Sequence, residues 1–266
     1  MTSPSPTAPN GPIHVLCYGD AGAKKSTFAA TFPTPALVCS FDPPGKDAPY
    51  LRRGAPGPLM TTDLGVPVRE VLDPQGGLRF RIEHYIDADY ERPQGFALFR
   101  RRLRQLDEER GWWETVIVDS LTYMQYAAQY ESQYRVNRGV KDDGRGGLHY
   151  NYAKEAMQPI VALRLPTLPC NVVLTAHVDE AKDEVHGTML YNPAAPGKLS
   201  KRLPPGYTEL YRAYVAPTDP KRPGEMVYLL QTEKSAQFNA ASQIPAPNPC
   251  VPDYAALWKR SEGRAG

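Results

Sequence analysis

Apolar and polar positions alternate along this chain in two distinct rhythms. Residues 13–19 (IHVLCYG), 36–42 (ALVCSFD), 115–120 (TVIVDS) and 170–177 (CNVVLTAH) are short, nearly continuous apolar runs, the pattern of strands buried on both faces. Between them lie segments of helical period. Residues 96–110 (FALFRRRLRQLDEER) place Phe96, Phe99, Leu103 and Leu106 on one stripe, and 121–136 and 152–165 continue the same period, the last interrupted by Pro159. Residues 66–73 and 78–86 flank the turn PQGG and predict a β-hairpin inserted into the domain, while 209–216 and 226–232 predict two closing strands. Strands that alternate with helices predict an α/β fold with a mostly parallel central sheet flanked by helices.

Composition adds limits rather than direction. A length of 266 residues suits one large domain, expected over 12–258 with tails at 1–11 and 259–266 and the hairpin at 66–87. The 31 Lys plus Arg nearly balance the 29 Asp plus Glu, so no global field draws the chain to nucleic acid or membrane. The 28 prolines cluster in connections and leave the periodic segments intact. Cys17, Cys39, Cys170 and Cys250 form no C-x-x-C pair and read as small core residues of a reducing compartment. No apolar run has the roughly 20 residues of a membrane span, and the first residues lack an export segment, so a soluble, cytoplasmic protein is expected.

The candidate chemistry begins where the first strand ends. Gly19, Asp20, Ala21, Gly22, Ala23, Lys24, Lys25, Ser26 and Thr27 follow the phosphate-loop pattern G-x-x-x-x-G-K-[S/T] with one departure: Lys24 stands at the second glycine. Such a loop turns backbone N–H groups toward an anion, with Lys25 reaching the β and γ phosphates and the Ser26 hydroxyl ligating Mg²⁺. A negative φ at residue 24 would make the lysine harmless, whereas a positive φ would strain it. A second metal-facing group is expected at the end of a neighbouring strand, and Asp119 ends TVIVDS. Capping the helix that begins at Leu121 is its competing role.

Taken in order, GDAGAKKSTFAATFP, FDPPGKD, TVIVDS, NVVLTAHV and DEVHGTMLYNPAAPGKLSKRLPPGY resemble the RecA-like P-loop ATPases over about residues 12–245, and in particular the short recombinase-like AAA or Sak-type annealing ATPases of bacteriophages. The resemblance implies a RecA-like fold, ATP and Mg²⁺ as cofactors, assembly into a homo-oligomeric ring or filament, and single-stranded DNA as partner. Matched residue by residue, it makes Lys25 and Ser26 the loop lysine and hydroxyl and Asp119 the second metal group. It sets Asp42 where a carboxylate activates water, although glutamate is commoner there and an Asp before two prolines is also a turn former. It sets His177 where a polar residue senses the γ phosphate. Interface ATPases also take a cation from a neighbouring subunit, for which Lys234 is the candidate, with Lys201 and Arg202 behind it.

The two loops that face DNA in such a core correspond to residues 137–150 and 179–203, where Arg138, Lys141, Arg145, Lys198, Lys201 and Arg202 could follow a phosphate backbone. The arginines of FRRRLR instead read as a solvated helix face, and Tyr123, Tyr126, Tyr130 and Tyr134 as packing or interface. These readings converge on a Mg²⁺-dependent ATPase acting on single-stranded DNA. A nucleotide-gated binding module with negligible hydrolysis and a P-loop kinase are the alternatives.

Overall fold

A computed structural model describes residues 11–257 except 44, 88, 90, 138–145, 183–188, 198, 220–221 and 245, and no side chains for 136–137, 146–147, 181–182, 201–202, 204 and 222–223. Five apolar runs become the parallel centre of one sheet: β1 (His14–Gly19), β2 (Ala36–Ser40), β6 (Thr115–Asp119), β7 (Asn171–Ala176) and β10 (Glu209–Asp219). The order across the sheet is β11-β10-β1-β7-β6-β2-β5-β4-β3, with β3 at Ala55–Thr61, β4 at Pro67–Leu72, β5 at Leu78–His84, β11 at Arg222–Gln231, and β12 (Ala241–Ser242) beside β10. β5 is parallel to β2, so six neighbouring strands run the same way; β11 on one edge and β4, then β3, on the other are added by antiparallel pairing.

Residues 66–87 do form two antiparallel strands, but the second is also the sixth parallel strand of the main sheet. A separate two-stranded ribbon, β8 (Val178–Lys182) with β9 (Met189–Pro193), starts directly after β7. This is an α/β P-loop NTPase fold, with its mostly parallel sheet covered on both sides.

Alternate residues of each central strand serve opposite cores, as a period of two requires. Leu16, Tyr18, Leu37, Cys39, Val116, Val118, Val172 and Leu174 face α3 (Gly95–Gln105), α4 (Leu121–Asn137) and α5 (Gly146–Pro159). Val15, Cys17, Ala36, Val38, Ile117 and Val173 face α1 (Lys25–Ala29) and α2 (Ala48–Leu51) with Phe28, Phe32 and Tyr50. Beyond Pro159 the helix continues for one π-helical turn, Ile160–Arg164, because proline supplies no N–H for the regular ladder. A last short helix, α6 (Leu199–Arg202), follows β9. Cys17, Cys39 and Cys250 are buried free thiols and Cys170 is half-buried. Among the described residues no helix is long and apolar enough to cross a membrane.

The arginine run on α3 departs from its sequence reading. Arg102 is buried, 5% exposed, and its guanidinium binds Glu83 through Nε at 2.9 Å and Glu109 through both terminal nitrogens at 2.9 Å. Tyr85 donates to Glu83 at 2.6 Å, Arg81 donates to it at 2.9 Å, and Trp113 donates to Glu109 at 2.5 Å. Arg100 pairs with buried Glu131 at 2.7 Å. Only Arg101 and Arg104 face solvent as expected. Arg102 therefore ties α3 to the end of β5, and removing it leaves buried Glu83 with Arg81 and Tyr85 and takes a partner of Glu109 away. Arg102→Leu is expected to cost about 3–5 kcal/mol in urea unfolding, whereas Arg101→Leu is expected to change stability by less than about 0.5 kcal/mol.

Candidate functional site

The C-terminal ends of β1, β2, β6 and β7 open into one cleft of about 690 Å³. Its walls bring together Gly22, Lys24, Lys25, Ser26 and Thr27 from the loop, Asp42 after β2, Asp119 and Ser120 after β6, Tyr123 on α4 and His177 after β7. Residues as far apart as Gly22 and His177, 155 positions, thus meet because parallel strands present the same end to the same rim.

Each loop glycine has its own reason. At Gly19 a Cβ would meet the Ala213 carbonyl oxygen of β10 at 2.0 Å, so no side chain fits. Gly22 has open space around it but a φ of 83°, which glycine alone takes without strain. Lys24 settles the question the motif raised. Its φ is 62° and ψ 28°, a left-handed conformation shared by no other non-glycine residue among those described. The lysine thus holds a backbone conformation that a glycine would take without strain, at a cost of about 1–2 kcal/mol. Its ammonium lies 5.2 Å from the centroid of the Tyr228 ring on β11.

Lys25 is buried and donates to the carbonyls of Gly19 and Asp20, both at 2.8 Å. Burial holds its ammonium below the ordinary lysine value. Two backbone carbonyls thus occupy the donors that would otherwise meet an anion.

Asp119 is buried and fixed from two sides: Thr175 of β7 donates to Oδ1 at 2.5 Å and Tyr50 of α2 to Oδ2 at 2.8 Å. Both contacts come from other elements, so the carboxylate does not serve as a simple cap for α4. Asp42 accepts a hydrogen bond from Ser120 at 2.8 Å, and burial, followed by the nearby Asp119 charge, pushes its carboxyl up to about 6.

His177 is half-buried, donates its N–H to the Thr122 hydroxyl at 3.1 Å, and meets the Tyr123 ring edge-on at 5.9 Å. Burial, then the Lys25 ammonium, lower its affinity for a proton. Its carbonyl accepts from Ala194 at 2.8 Å, so the residue roots the β8–β9 ribbon in the cleft.

Other expected residues lie elsewhere. Lys234 is exposed beyond β11 and lines a hollow of about 130 Å³ with Leu190, Tyr191 and Phe238, apart from the cleft. Arg138, Lys141, Arg145 and Lys198 fall outside the described residues, and for Lys201 and Arg202 only the backbone of α6 is described. Along α4, Tyr126 and Tyr134 are exposed while Tyr123 packs on the core.

Four residues of the site were missed by the sequence reading. Lys46, Arg52 and Arg53 line the cleft, and Tyr50, buried behind it, holds Asp119. The signal available was FDPPGKDAPYLRR, whose prolines hide the four-residue helix α2.

No curated protein matches the chain. The crystal structure of the flagellar accessory protein FlaH from Methanocaldococcus jannaschii is similar to it at 11% identity and a TM-score of 0.40, covering 85% of this chain and 79% of that one. The family model described as AAA domain matches residues 11–248, which hold every strand described and the whole cleft. The chain belongs to this AAA domain family of P-loop ATPases.

Proposed function

We propose that the protein binds ATP with Mg²⁺ in this cleft, hydrolyses it, and couples the nucleotide state to single-stranded DNA in phage-type recombination or annealing. The observation that carries the hydrolytic reading is the convergence of Lys25, Ser26, Asp42, Asp119 and His177 on one cleft although they come from four different strand ends.

The donor set suits Mg²⁺ brought by a triphosphate. Among the described residues no cluster of three His, Cys, Asp or Glu could cage an ion. A hydroxyl at Ser26 would hold the ion directly and the Asp119 carboxylate would hold it through water, with phosphate oxygens supplying the rest, as Mg²⁺ prefers. When bound, the ion neutralises charge on the terminal phosphates. Asp119, already accepting from Thr175 and Tyr50, acts best on the water shell. Lys25 exchanges the Gly19 and Asp20 carbonyls for phosphate oxygens. Asp42 takes the proton of the attacking water, and a carboxyl that titrates near 6 is better suited to that role than an ordinary aspartate.

Lys46, Arg52 and Arg53 add cations from the same chain, and Lys234 is the candidate cation donated to a neighbouring subunit in a homo-oligomeric ring or filament. The route to DNA runs through His177, which faces the cleft and roots the ribbon leading into the basic segment around 198–202.

Turnover measured with and without single- and double-stranded DNA tests the assignment. Lys25→Ala is expected to lower turnover about a hundredfold or more, with single-stranded DNA the better activator of the wild type. Equal rates in both proteins would refute hydrolysis here, and indifference to DNA would refute the partner. The Asp42 carboxyl must be ionised to accept a proton, so turnover is expected to fall as pH drops through about 6. Asp42→Asn should lose that limb of the profile along with most of the rate.

The same raised pKa has an opposite sign for stability. Above pH 6 the fold holds an aspartate charged that it would rather hold neutral, and the penalty accumulates as pH rises from the unfolded value toward and past the folded one. Asp42→Asn is therefore expected to raise Tm at pH 8 and to give progressively less gain as pH falls below 6.

A further inference from the structure

We propose that Tyr228 is a positioning residue for the phosphate loop: its ring, acting through the Lys24 ammonium, holds residue 24 in the left-handed conformation. The use of this clamp for ATP rests on the function proposed above, but the clamp itself does not.

Residue 24 controls more than its own torsion. Its carbonyl accepts from Phe28 N at 2.9 Å, the first bond of α1, so the torsion at 24 sets the direction in which Lys25 and Ser26 leave the loop. A glycine would hold φ 62° freely, whereas a lysine left to itself would relax toward negative φ. Something must therefore oppose that relaxation.

Lys24 has no carboxylate partner among the described residues. What its ammonium does have is the face of Tyr228, 5.2 Å away. That ring is itself anchored, because β11 is paired along its length with β10, where Tyr228 stands opposite Val215, and β10 pairs in turn with β1. The loop is thus tied back, through one cation–π contact, to the edge of the sheet from which it springs. Tyr228 is 36% exposed, so the contact is open to solvent and can be broken without disturbing the core.

Hydrogen exchange of amides 19–27 in the nucleotide-free protein tests the clamp, alongside ATP affinity. Tyr228→Leu keeps an apolar residue on the strand but removes the ring face. Exchange in the loop is expected to quicken about fivefold, and the KM for ATP to rise by a similar factor with kcat unchanged. Tyr228→Phe, which keeps the face, should match the wild type.

The deciding variant is Lys24→Gly with Tyr228→Leu. Glycine needs no clamp, so the leucine change is expected to have no effect in that background. Acceleration of equal size in both backgrounds would overturn the proposal, because Tyr228 would then act through β11 alone, and so would no acceleration in either. If the wild type binds no ATP, the function proposed above fails, while the exchange comparison still decides the clamp.

Discussion

The cleft owes its dimensions to one strand. β7 lies between β1, which carries the phosphate loop, and β6, which ends in Asp119. Two inter-strand steps separate the lysine strand from the acid strand by about 10 Å. Adjacent strands would set Lys25 and Asp119 close enough to neutralise each other directly. One intervening strand leaves a gap that a phosphate and a hydrated cation can fill, and it supplies the Thr175 hydroxyl that fixes the acid from the middle of that gap. Since His177 directly follows β7, the spacer strand is the one that continues into the β8–β9 ribbon.

The resting site is held together by contacts that a ligand can replace. Lys25 gives two hydrogen bonds to loop carbonyls, and Asp42 takes one from Ser120. A buried ammonium, the buried Asp119 carboxylate and the half-buried Asp42 would be costly if left unpaired. Their partial solution is visible in the proton affinities: Lys25 is lowered and Asp42 is raised, each toward its neutral form by desolvation. An anion beside Lys25 would offset the desolvation that lowers it, so the ammonium that burial penalises is one that a phosphate would stabilise.

Much of this was legible because the central strands are apolar on both faces and end in polar residues. β1, β2, β6 and β7 could be read as continuous runs, and with them Lys25, Asp42, Asp119 and His177 at their ends. What escaped depends on contacts remote in sequence. Arg102 looks like its solvated neighbours Arg101 and Arg104, and its burial rests on Glu83 on β5, 19 residues away, together with Glu109. Tyr50 sits in a helix of four residues with Pro49 inside it, too short for any period to show. The parallel pairing of β5 with β2 was hidden because its hairpin with β4 is the local signal, while the pairing that joins it to the sheet bridges 44 positions, as at Ala36 and Phe80.

Lys24 shows how a departure from a motif can leave its geometry intact. A phosphate loop requires a backbone shape, and glycine is common there because it adopts that shape without penalty. A lysine in the same shape carries a strain of about 1–2 kcal/mol, of which a cation–π contact at a partly exposed ring returns about 0.5–1 kcal/mol. The remainder is small beside the binding free energy of a micromolar ligand, about 8 kcal/mol, so the substitution does not by itself abolish a nucleotide site. It changes what the loop depends on. A glycine loop relies on its own torsional freedom, whereas this loop borrows its conformation from a residue two strands away at the open edge of the sheet.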